Sequence, residues 1–155
     1  MRKIYAMGAG CIGLLLGVGG VAVAAGPEAP VAKQRRATPA APLLRPLTDA
    51  DQQSTRASGC QLSFNTARST LVYAIEHDFM IRTRAGLQLC RINDRQFSAL
   101  SGGGTHNCGG MRVTIRQTGR VTGNPASDSA SGRARLTVTG GGRSWTTNGY
   151  WGTAC

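Results

Sequence analysis

Arginines at alternate positions are the residues of this 155-residue chain best placed to do chemistry. In "MRVTIRQ", Arg112 and Arg116 share a parity with Thr114 and oppose Met111, Val113 and Ile115. In "RARLTVT", Arg133 and Arg135 oppose Ala134, Leu136 and Val138. Side chains of a strand alternate between its faces, so each segment read as a strand puts its apolar residues on one side and its guanidiniums on the other. Paired, the two strands project four arginines from one solvent face, and Arg82 and Arg84, of like parity in "FMIRTR", extend it. Guanidinium forks suit phosphate and carboxylate, so this face is expected to bind an anion.

Catalysis has less to work with. His77 stands between Glu76 and Asp78, and His106 lies two residues before Cys108. A Cys–His pair makes a nucleophile only when the thiol is free, and general acid–base work wants paired carboxylates in a cleft. From Ala57 onward the acids are Glu76, Asp78, Asp94 and Asp128 alone. The glycine-rich "SGGGTHNCGGM" lacks the lysine of a phosphate-cradling loop. No cofactor is implied. A non-enzymatic protein is the expectation, with a small hydrolase using His77 or His106 as an alternative.

Cys60, Cys90, Cys108 and Cys155 form an even set without the paired short spacings of a zinc site, so two disulfides and no metal are expected. Three pairings are open. Cys90 with Cys108 would clamp a glycine-rich loop, and Cys60 with Cys155 would tie the domain's ends together; this pairing is preferred. An exported chain is implied by its start as well: Arg2 and Lys3, an uncharged stretch from Ile4 to Val23, and small residues at Ala22 and Ala24 suit a signal peptide over residues 1–25. The rival is an uncleaved anchor, but six glycines from Gly8 to Gly20 dilute its hydrophobicity, so no stable membrane span is expected once the signal is cleaved. Location is therefore periplasmic or secreted.

Residues 26–56, rich in Pro and Ala, read as a flexible leader. Residues 57–155 read as a disulfide-stapled β domain. Phe79–Arg84 and Leu87–Ile92 form a hairpin across Ala85 and Gly86, and Met111–Gln117, Arg133–Thr139 and Arg143–Trp151 follow as strands. Asn65–His77 is read as a short helix capped by Asn65, although "TLVYAI" also favours a strand. The fold class is mainly β: a small antiparallel β-sandwich or rolled sheet with room for one short helix. Residues 93–110 and 118–132 read as long connecting loops, placing His106, Ser129 and Ser131 where a partner would touch them. In the final strand Trp145, Thr147, Gly149 and Trp151 share the core-facing parity.

The net charge of +11 falls to +9 without the signal peptide, and from Ala57 onward eleven arginines, no lysine and four acids leave +7. Such a domain prefers anionic partners: an anionic envelope polymer or an acidic protein. Nucleic acid fits less well, because single-strand platforms interleave aromatics with basic residues and none lies inside the arginine-bearing strands. The main alternative is an inhibitor or immunity protein that blocks an exported hydrolase through a disulfide-braced loop. Over Ser129–Cys155, "SASG", the later tryptophan and the closing cysteine resemble the C-type lysozyme inhibitors, small exported β-barrels in which such a loop enters the lysozyme cleft. The tryptophan lies further from the serines than in that family. The strong positive charge departs from it too, since a basic inhibitor would be repelled by a basic target.

Overall fold

A computed structural model describes residues 40–124 and 128–155. Residues 1–25, read from the sequence as a signal peptide, and the first part of the leader lie outside the described residues. Eight antiparallel strands form one sheet: β1 (Gln61–Asn65), β2 (Thr70–Ile75), β3 (Asp78–Thr83), β4 (Gly86–Arg91), β5 (Thr105–Cys108), β6 (Met111–Asn124), β7 (Ser129–Gly140) and β8 (Arg143–Ala154). The helices are α1 (Asp49–Gln52) and α2 (Asp94–Ser101).

The strand order β4-β3-β2-β1-β8-β7-β6-β5 leaves β4 and β5 as edges. These edges meet, and Cys90 of β4 is bonded to Cys108 of β5 with their Cα atoms 5.7 Å apart. Among the described residues no backbone ladder crosses this seam, so a covalent bond stands where a barrel would have hydrogen bonds. Cys60, just before β1, is bonded to Cys155, just after β8, beside a ladder running from Gln61↔Ala154 to Asn65↔Tyr150.

Alternation along the strands fills the interior. Leu62 and Phe64 of β1, Val72 and Ala74 of β2, Phe79 and Ile81 of β3, Val113 and Ile115 of β6, and Leu136 and Val138 of β7 are buried together with Trp151 of β8. Helix α2 closes one end: a capping box between Asn93 and Gln96 starts it, buried Leu100 points into the core, and the Trp151 indole N–H donates to the Leu100 carbonyl at 2.7 Å. Glycine is required at Gly149, where a Cβ would lie 2.3 Å from the Asn65 carbonyl oxygen and 2.8 Å from the Phe64 ring.

Several expectations need correction. Asn65–His77 is not a helix: Thr70–Ile75 is strand β2. Its Val72 and Ala74 face the main core, while Tyr73 and Ile75 join Leu47 and Met80 in a second cluster. A strand buried on both faces loses its alternation and reads as a continuous apolar run, which periodicity cannot tell from a helix. The connection 93–110 holds α2 and β5, and 118–132 is largely the continuation of β6 and β7, with a register irregularity between Gln117 and Val121.

From Ala40 onward the leader is a packed strap. Leu43 and Leu44 belong to the main core, and Arg45 N donates to the Arg82 carbonyl at 2.8 Å. Leu47 lies against Tyr73, Ile75 and Met80. Beyond α1, whose Thr48–Asp51 capping box is complete, the Thr55 hydroxyl donates to Asp78. The strap thus covers Asp78, Met80 and Arg82, the outward residues of β3.

Its polar clasp is Asp51, buried, whose carboxylate receives the Arg82 guanidinium in a two-point ion pair, Nε donating at 2.8 Å. This pairing holds the Asp51 carboxyl well below the usual carboxylate range. A depressed folded-state pKa stabilises the fold above the unfolded carboxylate pKa, and the contribution is lost as pH falls through and below that value. Asp51→Asn is therefore expected to cost about 2 kcal/mol at neutral pH, with the gap to the parent protein narrowing below about pH 4. Urea unfolding across pH checks this; a gap that stays constant down to about pH 2 would remove Arg82 as the cause.

Candidate functional site

Strands β6 and β7 pair so that Arg112 lies opposite Thr139, Thr114 opposite Thr137 and Arg116 opposite Arg135. Across the other edge of β7, Arg133 faces Tyr150 and Arg135 faces Asn148 of β8. The inward partners Val113, Ile115, Ala134, Leu136 and Val138 are buried, and all four arginines are exposed. Apolar parity fixes the register, and the register aims the guanidiniums outward.

Between the arginines runs a row of threonines across four strands, Thr105, Thr114, Thr137 and Thr146. Thr105 and Thr114 hydroxyls are 2.9 Å apart, and those of Thr137 and Thr146 3.2 Å. β-branched residues paired this way stiffen the sheet beneath the charges.

No described acidic residue neutralises this face. Ion pairs among the described residues join Arg82 to Asp51, Arg91 to Asp78, and His77 to Asp94, the last at 3.6 Å. Arg112, Arg116, Arg133 and Arg135 take part in none of them; Arg135 Nε donates to Asn148 Oδ1 at 3.4 Å.

Arg82 does not extend this face, and Arg84 lies at its margin. Arg82 is engaged by Asp51 under the strap. Arg84 occupies the turn between β3 and β4, where it lines a cavity of about 380 Å³ with Arg143, Leu43, Gln88 and, from the ends of β6 and β7, Met111 and Gly140. Their parity is as expected; along the sheet β3 is separated from β7 by β2, β1 and β8, and across the disulfide-bonded seam from β6 by β4 and β5.

Ser129 and Ser131 are strand residues, not loop tips: Ser131 is paired to Thr122 of β6 and Gly152 of β7's other neighbour, β8. The two serines thus belong to β7, and residues 125–127 ahead of them lie outside the described residues. His106, on β5, turns inward opposite Val113 and packs on Phe79 with ring centroids 4.8 Å apart. Burial pushes its pKa down, favouring the neutral ring, and its Nε2 has no hydrogen-bond partner among the described residues. His77 lies in the β2–β3 turn and shares a cavity of about 370 Å³ with Glu76, Asp94, Phe97 and oxidised Cys60. The two histidines lie on different elements, His77 in the β2–β3 turn and His106 on β5. No cluster of three His, Cys, Asp or Glu side chains able to hold a metal ion occurs among the described residues.

Tyr150 is a residue of this outer face that charge and parity did not single out. It is the exposed aromatic of the sheet, at 53 % exposure, whereas its neighbour Trp151 is at 1 %. The signal was present in "NGYWGTAC": once Trp151 faces the core, Tyr150 faces water beside Arg133.

No family model, curated protein or solved structure matches this chain. Its class rests on its own architecture: a nearly closed, antiparallel eight-stranded sheet with two disulfides, suited to an oxidising, extracytoplasmic compartment. Among the described residues no helix is long and apolar enough to cross a membrane.

Proposed function

We propose that this protein is an exported, non-enzymatic binding module, periplasmic or secreted, whose β6–β7 face holds a polyanion: an acidic envelope polymer or the acidic surface of a protein. The observation that carries this reading is Arg116 directly opposite Arg135, with no carboxylate among the described residues paired to either. Like charges facing each other across a strand pair destabilise a sheet. A sequence that keeps them there gives up stability for something else, and an anion bridging two guanidiniums turns the repulsion into attraction.

Two measurements test it. With four charge contacts, affinity of the oxidised protein for an anionic polymer such as heparin should weaken about a hundredfold between about 50 and about 200 mM salt. Arg116→Thr should raise stability by about 0.5 kcal/mol while weakening binding. A protein that is not retained on the polymer at low salt, or an Arg116→Thr variant that binds as well as its parent, overturns the reading.

A further inference from the structure

Beside the arginine face the barrel's outer surface changes character. A cavity of about 380 Å³ lies between β1, the end of β8 and the far part of the β6–β7 hairpin; its lining includes Gln61, Asn65, Thr122, Ser131, Tyr150 and Thr153, and it contains no charged residue. A second cavity of about 460 Å³ continues from it along the sheet and is lined by Arg133, Arg135 and Asn148. Tyr150 lines both, so its half-exposed ring forms the ridge between a neutral polar cleft and a cationic one.

The polar groups of the neutral cleft are held in place. Gln61 Oε1 accepts from the Tyr73 hydroxyl at 2.6 Å. Asn65 Oδ1 accepts from Thr70 at 2.7 Å, and Asn65 Nδ2 donates to Ser63 at 2.8 Å. A side-chain amide has two donors and two acceptor lone pairs, so each keeps capacity for a ligand after these bonds are made. Tyr73 is itself fixed under the strap by Leu47 and Met80. The strap therefore helps orient Gln61 through Tyr73, along the same outer face of the sheet.

Fixed amides, hydroxyls and one exposed aromatic face are the complement of a sugar, which presents hydroxyls around its edge and C–H groups on one face. An apolar ligand would leave these polar groups without partners, at a cost. A single strand of nucleic acid would want successive aromatic platforms, and Tyr150 is the one exposed aromatic among the described residues. Extending the polyanion reading, on which it rests, we infer that the ligand is an acidic glycan: one sugar ring lies on Tyr150 with its hydroxyls in the Gln61–Asn65 cleft, and a carboxylate on the chain reaches Arg133 and Arg135.

The test compares three polymers at fixed ionic strength on the oxidised protein: polygalacturonate, polyphosphate with the same number of charges per chain, and the carboxyl-reduced neutral glycan. Polygalacturonate should bind at least tenfold more tightly than either of the others. Tyr150→Ala and, independently, Asn65→Ala should each weaken polygalacturonate at least fivefold and leave polyphosphate unchanged. If polyphosphate binds as tightly as polygalacturonate and neither substitution matters, the glycan inference falls while the arginine face stands. Tight binding of the neutral glycan removes the role given to Arg133 and Arg135. If none of the three binds, the polyanion reading itself fails.

Discussion

Replacing Cys60 and Cys155 with serine should lower the unfolding free energy by about 4 to 5 kcal/mol, and replacing Cys90 and Cys108 by about 3 kcal/mol, because the longer loop restrains the unfolded chain more. The native states should respond in the opposite order. Cys60–Cys155 joins strands already held by a five-residue register between β1 and β8. Without it the sheet keeps its pairing, and hydrogen exchange should quicken mainly near Gln61 and Ala154. Cys90–Cys108 spans the seam that no ladder crosses. Without it β5 becomes a free edge, held to the sheet by its four-residue pairing with β6. Exchange should accelerate through β5, and the His106 imidazole, whose pKa is pushed down by burial against Phe79, should move back toward an ordinary histidine value. NMR titration and exchange on both variants decide the matter. An unchanged His106 titration in the Cys90/Cys108 variant would mean that the seam is held by packing and not by the bond.

What could be read from the sequence was whatever a single strand declares about itself. The alternation in Met111–Gln117 and Arg133–Thr139 specified which side of β6 and β7 faces the core, and so placed Arg112, Arg116, Arg133 and Arg135 outside. The hairpin of β3 and β4 was legible in the same way, with its two-residue turn falling one position earlier, at Arg84 and Ala85. What depends on a distant segment was not legible. Arg82 carries the right parity but is claimed by Asp51, thirty-one residues earlier, and nothing in "FMIRTR" announces that. Prolines around "LLRPLTDADQ" suggested a tether, although three leucines and a Thr48–Asp51 capping box were signs of packing. The Asn93–Gln96 box announced α2 equally plainly inside a connection whose glycines drew attention elsewhere.

The largest functional effect is expected from changing Arg112, Arg116, Arg133 and Arg135 together to serine. Removing four charge contacts should weaken binding to an acidic polymer by a hundredfold or more at low salt and flatten most of the salt dependence, since both scale with the number of ions displaced. Net charge alone predicts the same loss from any four arginines. The informative control is therefore Arg45, Arg56, Arg84 and Arg95 changed to serine: all are exposed, none of their side chains enters an ion pair among the described residues, and they lie outside β6 and β7. At about 0.1 M salt long-range attraction is screened over about 10 Å, so at that salt these charges, of which Arg84 lies nearest the face across a cavity shared with Met111 and Gly140, should affect affinity only severalfold. The face variant should also unfold at a higher denaturant concentration than the control, because it relieves the Arg116–Arg135 opposition. Equal losses of binding in the two variants would show that the protein attracts anions by its total charge, and the register of β6 against β7 would then have no part in recognition.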